Sequence, residues 1–197
     1  MADTRPMIRP RFHHVNLKTK RLQEMIDWYA TVVGSQANFQ FPFGAWTSND
    51  EANHRVALTA FPNFADDPEK DTRTGLHHTA FEYDCFEDLN ASYLRLRKAG
   101  IVPDFCLDHG MTFSYYYSDP DGNHVELQCD AFGDWAKSSA WMRDSIQFQD
   151  DPLGKFVDPE KVAADRARGV SFEEIHEKAI DGGYAPETAP VDLPQAG

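Results

Sequence analysis

Apolar residues recur along this chain with two periods, and the switches between them mark out its elements. From Arg11 to Lys18 polar and apolar positions alternate, with Val15 and Leu17 on one side and His14, Asn16 and Lys18 on the other. That is the period of a half-buried strand. Leu22, Met25, Ile26, Tyr29, Val32 and Val33 then fall at helical spacing, and Gly34 supplies the stop. An aromatic run (Phe39, Phe41, Phe43, Trp46) leads into a further strand over Asn53–Leu58, and Pro62 to Gly75 is a polar loop with no period of its own. Beyond it the order restarts. His77 to Asp84 reads as a strand, and Leu89, Tyr93, Leu94 and Leu96 mark a helix ending at Gly100. Three short strands follow at Ile101–Cys106, Met111–Ser118 and His124–Cys129.

The pattern is a repeat. Paired histidines, His13-His14 and His77-His78, stand 64 positions apart; Tyr29 and Tyr93 share that offset, and a glycine closes each helix. Two copies of strand, helix and three strands predict an α+β fold of duplicated βαβββ modules, 11–62 and 75–130, rather than a solenoid, which needs more units. Two such curved sheets side by side would leave a cup between them. From Ala131 the pattern changes. Phe132, Trp135, Trp141 and Met142 form an apolar stretch suited to a short helix across the cup mouth. Asp158-Pro159-Glu160 starts one further helix and Ser171-Phe172-Glu173-Glu174, a capping box, another. The extension 131–197 is expected to cover the pocket or to reach a second subunit of a homo-oligomer. Met1 to Pro10 reads as a flexible lead-in, and the last dozen residues, rich in Pro and Ala, as a tail or arm.

Composition narrows the function classes. Nineteen basic against 32 acidic residues give a net charge of −13, which argues against nucleic acid and against an anionic membrane surface. No apolar run approaches a membrane span and the N-terminus carries no signal-like segment, so a cytoplasmic protein is expected. Cys85, Cys106 and Cys129 share no CxxC spacing and suit reduced, packed thiols.

The chemistry sits on three stretches: Phe12-His13-His14-Val15-Asn16-Leu17, Leu76-His77-His78-Thr79-Ala80-Phe81, and Asp119-Pro120-Asp121-Gly122-Asn123-His124-Val125-Glu126-Leu127. Alternation assigns His13 to the face of Val15 and Leu17, and His77 to that of Thr79 and Phe81, both expected to pack on helices. His14, His78 and Glu126 fall on the opposite faces. Two imidazoles and one carboxylate, with other positions open, form the ligand set suited to Fe(II) that must also bind substrate and O2. A lone strand histidine is more often structural, but three candidates at matching places in a duplicated module reverse that expectation. His124 is expected at the rim and His176 on the surface.

These motifs resemble the vicinal-oxygen-chelate superfamily, which includes glyoxalases, extradiol ring-cleaving dioxygenases and bleomycin-resistance-type binding proteins. The resemblance covers about residues 11 to 130. Asn53-His54-Arg55-Val56-Ala57-Leu58 aligns with Asn123-His124-Val125-Glu126-Leu127 with one extra residue, so Ala57 stands where Glu126 does. A glyoxalase-type site usually has a carboxylate in both places; three ligands favour the dioxygenases. For that branch the resemblance implies His54, turned inward by a bulge, and His109 as proton-handling groups, with Tyr116 as donor to the bound diol. The interval from His109 to Tyr116 is about two residues shorter than the usual pattern. It further implies Fe(II), with Mn(II) fitting the same ligands, and O2 as co-substrate. A catechol would bind through its adjacent oxygens and be cleaved beside the diol. Phe39, Phe41, Phe43, Trp46, Phe132 and Trp135 are candidates for apolar pocket walls, half of them expected in the core. The alternatives are a glyoxalase-type metal-dependent isomerase or lyase, and a non-enzymatic protein binding a planar aromatic ligand.

Overall fold

A computed structural model describes residues 7–191. Most of the proposed lead-in and half of the proposed tail lie outside the described residues. The chain divides into two compact units, residues 1–71 and 72–197.

In the first unit β1 (Val15–Lys18) and α1 (Leu22–Val33) precede β2 (Gln36–Phe41), β3 (Gly44–Ser48) and β4 (Val56–Thr59). The sheet order is β1-β4-β3-β2, with β1 parallel to β4 and the other pairs antiparallel. Helix α1 buries Met25, Ile26, Tyr29 and Val32, each worth about 1.5–3 kcal/mol of burial, and ends at Gly34 in the left-handed region. Register then sorts the two faces. Leu17, Leu58 and Ala45 are mutual partners and buried, as expected of a helix-covered face. Asn16, Ala57, Trp46 and Phe39 form the corresponding row on the other face.

The second unit repeats this. Strand β5 (His78–Tyr83), helix α2 (Phe86–Lys98), β6 (Phe105–Asp108), β7 (Thr112–Ser118) and β8 (His124–Asp130) form a sheet of order β5-β8-β7-β6. Phe81, Leu127, Tyr115 and Cys106 make one row, and Ala80, Glu126, Tyr116 and Phe105 the other. Position by position, Ala57 of the first unit matches Glu126, Trp46 matches Tyr116, and Phe39 matches Phe105.

The extension belongs to this second unit. It supplies α3 (Trp135–Asp144), α4 (Ile146–Asp150), β9 (Lys155–Phe156), α5 (Pro159–Ala167) and α6 (Phe172–Ile180). The short strand β9 adds to the edge of β6, which the periodicity missed because two residues show no alternation. Phe172 stacks on Phe86 at 4.5 Å between centroids, and Tyr93 donates to Glu160 at 2.6 Å. Asp165 is buried where Tyr184 (2.5 Å), Lys178 (2.9 Å) and Arg168 converge on it.

Several expectations are corrected. His13 and His77 do not pack on helices; both precede their strands and are exposed. Strand β4 has no bulge at His54 and begins two residues later, at Val56, leaving His54 in the connecting segment. The register shift lies in β2, between Ala37 and Phe39. None of the six aromatic pocket candidates joins the core: Phe41 is half-buried, the others are exposed.

Candidate active site

In the second unit four polar side chains form a line. His78 opens β5 opposite His124, and its Nε2 lies 3.1 Å from Oε2 of Glu126 on β8. The register places Tyr116 of β7 beside Glu126, and its hydroxyl donates to Oε1 at 2.8 Å. His109, in the turn between β6 and β7, brings Nε2 to 2.9 Å from that hydroxyl. The shorter interval before Tyr116 therefore still puts the two in contact. Phe105 stacks on the Tyr116 ring at 4.4 Å and fixes its plane.

Electrostatics follow from burial and these bonds. Burial by itself would raise the Glu126 carboxyl, but hydrogen bonds from His78, Ser114 and Tyr116 hold it below its ordinary value. The Tyr116 hydroxyl is pushed well up, by burial first and the neighbouring Glu126 second. Burial also lowers His109, against the opposing pull of Glu126 and a hydrogen bond to the Leu153 backbone. Glu126 thus carries the carboxylate charge, with Tyr116 donating to it as a phenol.

All four line one cavity of about 560 Å³, in the size range of small-ligand sites. Its wall includes Met111, just before β7, Thr112 of β7, and Trp135 and Met142 from α3. Trp135 donates to Glu82 at 2.7 Å, while Phe132 packs on Trp141 and is not part of this wall. Met142 falls in the helix expected across the cup mouth, whereas Met111 was not anticipated as a wall residue, because nothing in an isolated methionine distinguishes a pocket wall from a core.

The first unit carries His14 one residue before β1, at the position that matches His78. His13, His14 and His54 cluster, with ligand-type nitrogens within 4.8 Å of one another. Burial lowers His54, and the His14 and His13 rings add to it. Arg55 occupies the place of His124, paired with Asp50 at 2.8 Å and donating to the His13 carbonyl at 3.0 Å. Phe39, Phe41 and Trp46 stack on the open face with centroids 5.3–6.0 Å apart, and Trp46 reaches His54 at 6.3 Å. Phe43 is exposed outside that stack.

The doubled histidines share a geometry that periodicity did not disclose. Nδ1 of His13 lies 3.0 Å from Nδ1 of His14, and Nδ1 of His77 lies 2.8 Å from Nδ1 of His78. In both units the first ring occupies Nδ1 of the second, and in His78 this leaves Nε2 as the nitrogen that meets Glu126. That is how outer partners orient a metal-binding imidazole. His176, expected on the surface, instead faces the fully buried Asp108 at 2.7 Å.

The donor set fits a divalent ion. Two donors at right angles about one ion, with bonds of about 2.1 Å, stand about 3 Å apart, and Nε2 of His78 and Oε2 of Glu126 are 3.1 Å apart.

Comparison with known proteins agrees with this chemistry. Residues 11–127 match the family model described as Glyoxalase/Bleomycin resistance protein/Dioxygenase superfamily. Biphenyl-2,3-diol 1,2-dioxygenase 2 of Rhodococcus globerulus is 37% identical over 185 residues, covering 94% of each chain. Biphenyl-2,3-diol 1,2-dioxygenase 3 of the same organism is 36% identical over 172 residues, covering 87% of this chain and 90% of the relative. Among solved structures, a glyoxylase/bleomycin resistance protein/dioxygenase domain from Frankia sp. EAN1pec superposes with a TM-score of 0.52 at 20% identity, covering 62% of this chain and 93% of that one. That likeness concerns the fold alone. With a family model spanning more than half its length and ring-cleaving relatives matching it nearly end to end, the chain belongs to the glyoxalase/bleomycin resistance protein/dioxygenase superfamily, on its ring-cleaving dioxygenase side.

Proposed function

We propose that the chain is an Fe(II)-dependent extradiol dioxygenase that binds its ion through His14, His78 and Glu126 and opens a catecholic ring beside the diol. The observation that carries this reading is the line His78–Glu126–Tyr116–His109 along one cavity wall. Its support is threefold. A donor pair already stands at the spacing one ion requires. A hydroxyl and an imidazole follow it in hydrogen-bond sequence. Ala57 stands at the register position of Glu126, so the first unit adds no second acid to the ligand set. Relatives named for biphenyl-2,3-diol suggest a bicyclic diol, and a cavity of about 560 Å³ has room for one. Mn(II) would be held by the same residues.

When bound, the ion would supply two-point attachment of the diol and an electron route from ring to O2. The protein's share is orientation and protons. Glu126 keeps Oε1 occupied by Tyr116, which leaves Oε2 for the ion. Tyr116 has one proton and two neighbours, Glu126 and His109, so a proton gained by His109 satisfies every link. His109 Nε2–H then donates to the tyrosine oxygen while Tyr116 donates to Glu126. His109 is thus the group that takes up and returns the proton, with Tyr116 as contact to a diol oxygen. Trp135, Met111 and Met142 supply the apolar part of the wall beside that exchange.

The test is anaerobic loading with Fe(II), determination of bound metal, and exposure to 2,3-dihydroxybiphenyl or catechol with air. One ion per chain, a yellow ring-opened product and equimolar O2 uptake are expected. Absence of product and uptake across a broad catechol panel would sink the reading. So would wild-type metal affinity in H14A, H78A and E126A.

A further inference from the structure

His109 differs from its partners in that no strand sets its direction. It follows Asp108, the last residue of β6, and lies in the turn that leads to β7. Its chain neighbours are nevertheless held on both sides by the segment that follows β8. Asp108 is fully buried, with Oδ1 accepting from the Gly110 N–H at 2.8 Å and Oδ2 facing Nδ1 of His176, on α6, at 2.7 Å. The indole of Trp141, on α3, lies against Gly110 so closely that a Cβ there would overlap it. Gly154, just before β9, backs onto Asp108 and His109, and a Cβ there would run into the Asp108 carbonyl. Both glycines have positive φ, 83° and 78°, which other residues adopt only with strain. The neighbouring Leu153 backbone offers the His109 ring a hydrogen-bond acceptor.

We propose that the post-β8 segment positions His109: His176, acting through Asp108, together with Trp141 and the Leu153 carbonyl, holds the ring so that Nε2 meets Tyr116. This rests on the reading of His109 as the proton-handling group. The physical consequence is a fixed tautomer. A ring that donates from Nδ1 to a carbonyl presents Nε2 as the acceptor, and a ring free to rotate does not. His176 is a positioning residue, since it lines no part of the cavity that holds His78, Tyr116 and Glu126.

Two readouts on H176A, H176N and W141L decide it: steady-state kinetics of the Fe(II)-loaded chains with 2,3-dihydroxybiphenyl, and the imidazole ¹⁵N spectrum of the metal-free chains, with His109 assigned through H109N. In H176A kcat falls about 10- to 100-fold, while KM stays within roughly threefold. H176N, whose amide reaches the place of Nδ1, recovers most of the loss. The His109 signal passes from a single tautomer in the wild type to an average of two in H176A. Wild-type kcat and an unchanged His109 signal in H176A would overturn the proposal, as would H176N falling as far as H176A. If H176A does not fold, W141L decides, because it disturbs Gly110 without stranding a buried charge: loss of kcat at constant KM supports positioning, and wild-type kcat overturns it. The spectrum does not depend on turnover. A wild type that opens no diol ring would therefore overturn the reading of the site, and an unshifted His109 signal the positioning alone.

Discussion

At the scale of single residues, the site is a set of groups that correct each other's burial. Glu126 stays ionised in a buried place because three hydrogen bonds to its oxygens outweigh desolvation. Removing His109 and the Tyr116 hydroxyl one at a time should separate their roles. His109→Ala is expected to lower kcat by about 10²–10⁴-fold, the usual worth of a positioned acid–base group, with little change in metal content. Tyr116→Phe keeps the ring that stacks on Phe105 but removes the donor, and about a tenfold loss is expected. Oxygen-uptake kinetics beside metal analysis checks both; loss of metal in either variant would mean that the residue acts on the ion instead. These side chains were legible to different degrees. His14, His78 and Glu126 stand out through their repeat. The part of His13 and His77 did not, because strand alternation was extended to residues that precede the strands.

At the scale of elements, local signals placed most boundaries. The capping box at Ser171 and the Asp158–Pro159 start both begin helices, since they satisfy orphan N–H groups within one turn. The turn before β8 works similarly. Buried Asp119 accepts from the Asp121 and Asn123 N–H groups and from the Asn123 amide at 2.7–2.9 Å. That turn sets the register that puts Tyr116 opposite Glu126. Asp119→Ala should cost about 2–3 kcal/mol, measured as a shifted urea midpoint with unchanged slope; a wild-type midpoint would show the turn is held otherwise. Glu160 ties α5 to α2 through Arg97 and Tyr93. Those two partners, Arg97 first, hold its carboxyl below the ordinary value of 4.5. Its contribution is therefore complete above that value and lost as pH falls through the lower folded one. The thermal-midpoint difference between wild type and Glu160→Gln is expected to be full above the ordinary carboxyl value and to shrink as the pH is lowered through the folded one. A difference that grows on acidification would reverse the assignment.

At the scale of the whole molecule, the second unit is larger than its repeat, and the added part is integral to it. Phe172 on Phe86 and Phe113, β9 on β6, and His176 on Asp108 cover surfaces that residues 72–130 would otherwise expose. A chain ending at Asp130 is expected to aggregate or to lose cooperative unfolding, as followed by thermal melting and size-exclusion chromatography. A soluble, cooperatively melting fragment would contradict this. Among the described residues no helix is long and apolar enough to cross a membrane.

What the sequence determined alone is what local physics repeats: two modules, their helices and stops, and three metal-type donors at matching places. Periods of two and of 3.6 residues are short-range properties, so they survive without a fold. Only the tertiary structure decided the rest. It moved His54 out of β4, put the six aromatic candidates outside the core, and drew His176 beneath Asp108 across 68 residues of chain. Those outcomes depend on which strand edges and helix faces meet, and a pairing between distant segments leaves no period in either of them.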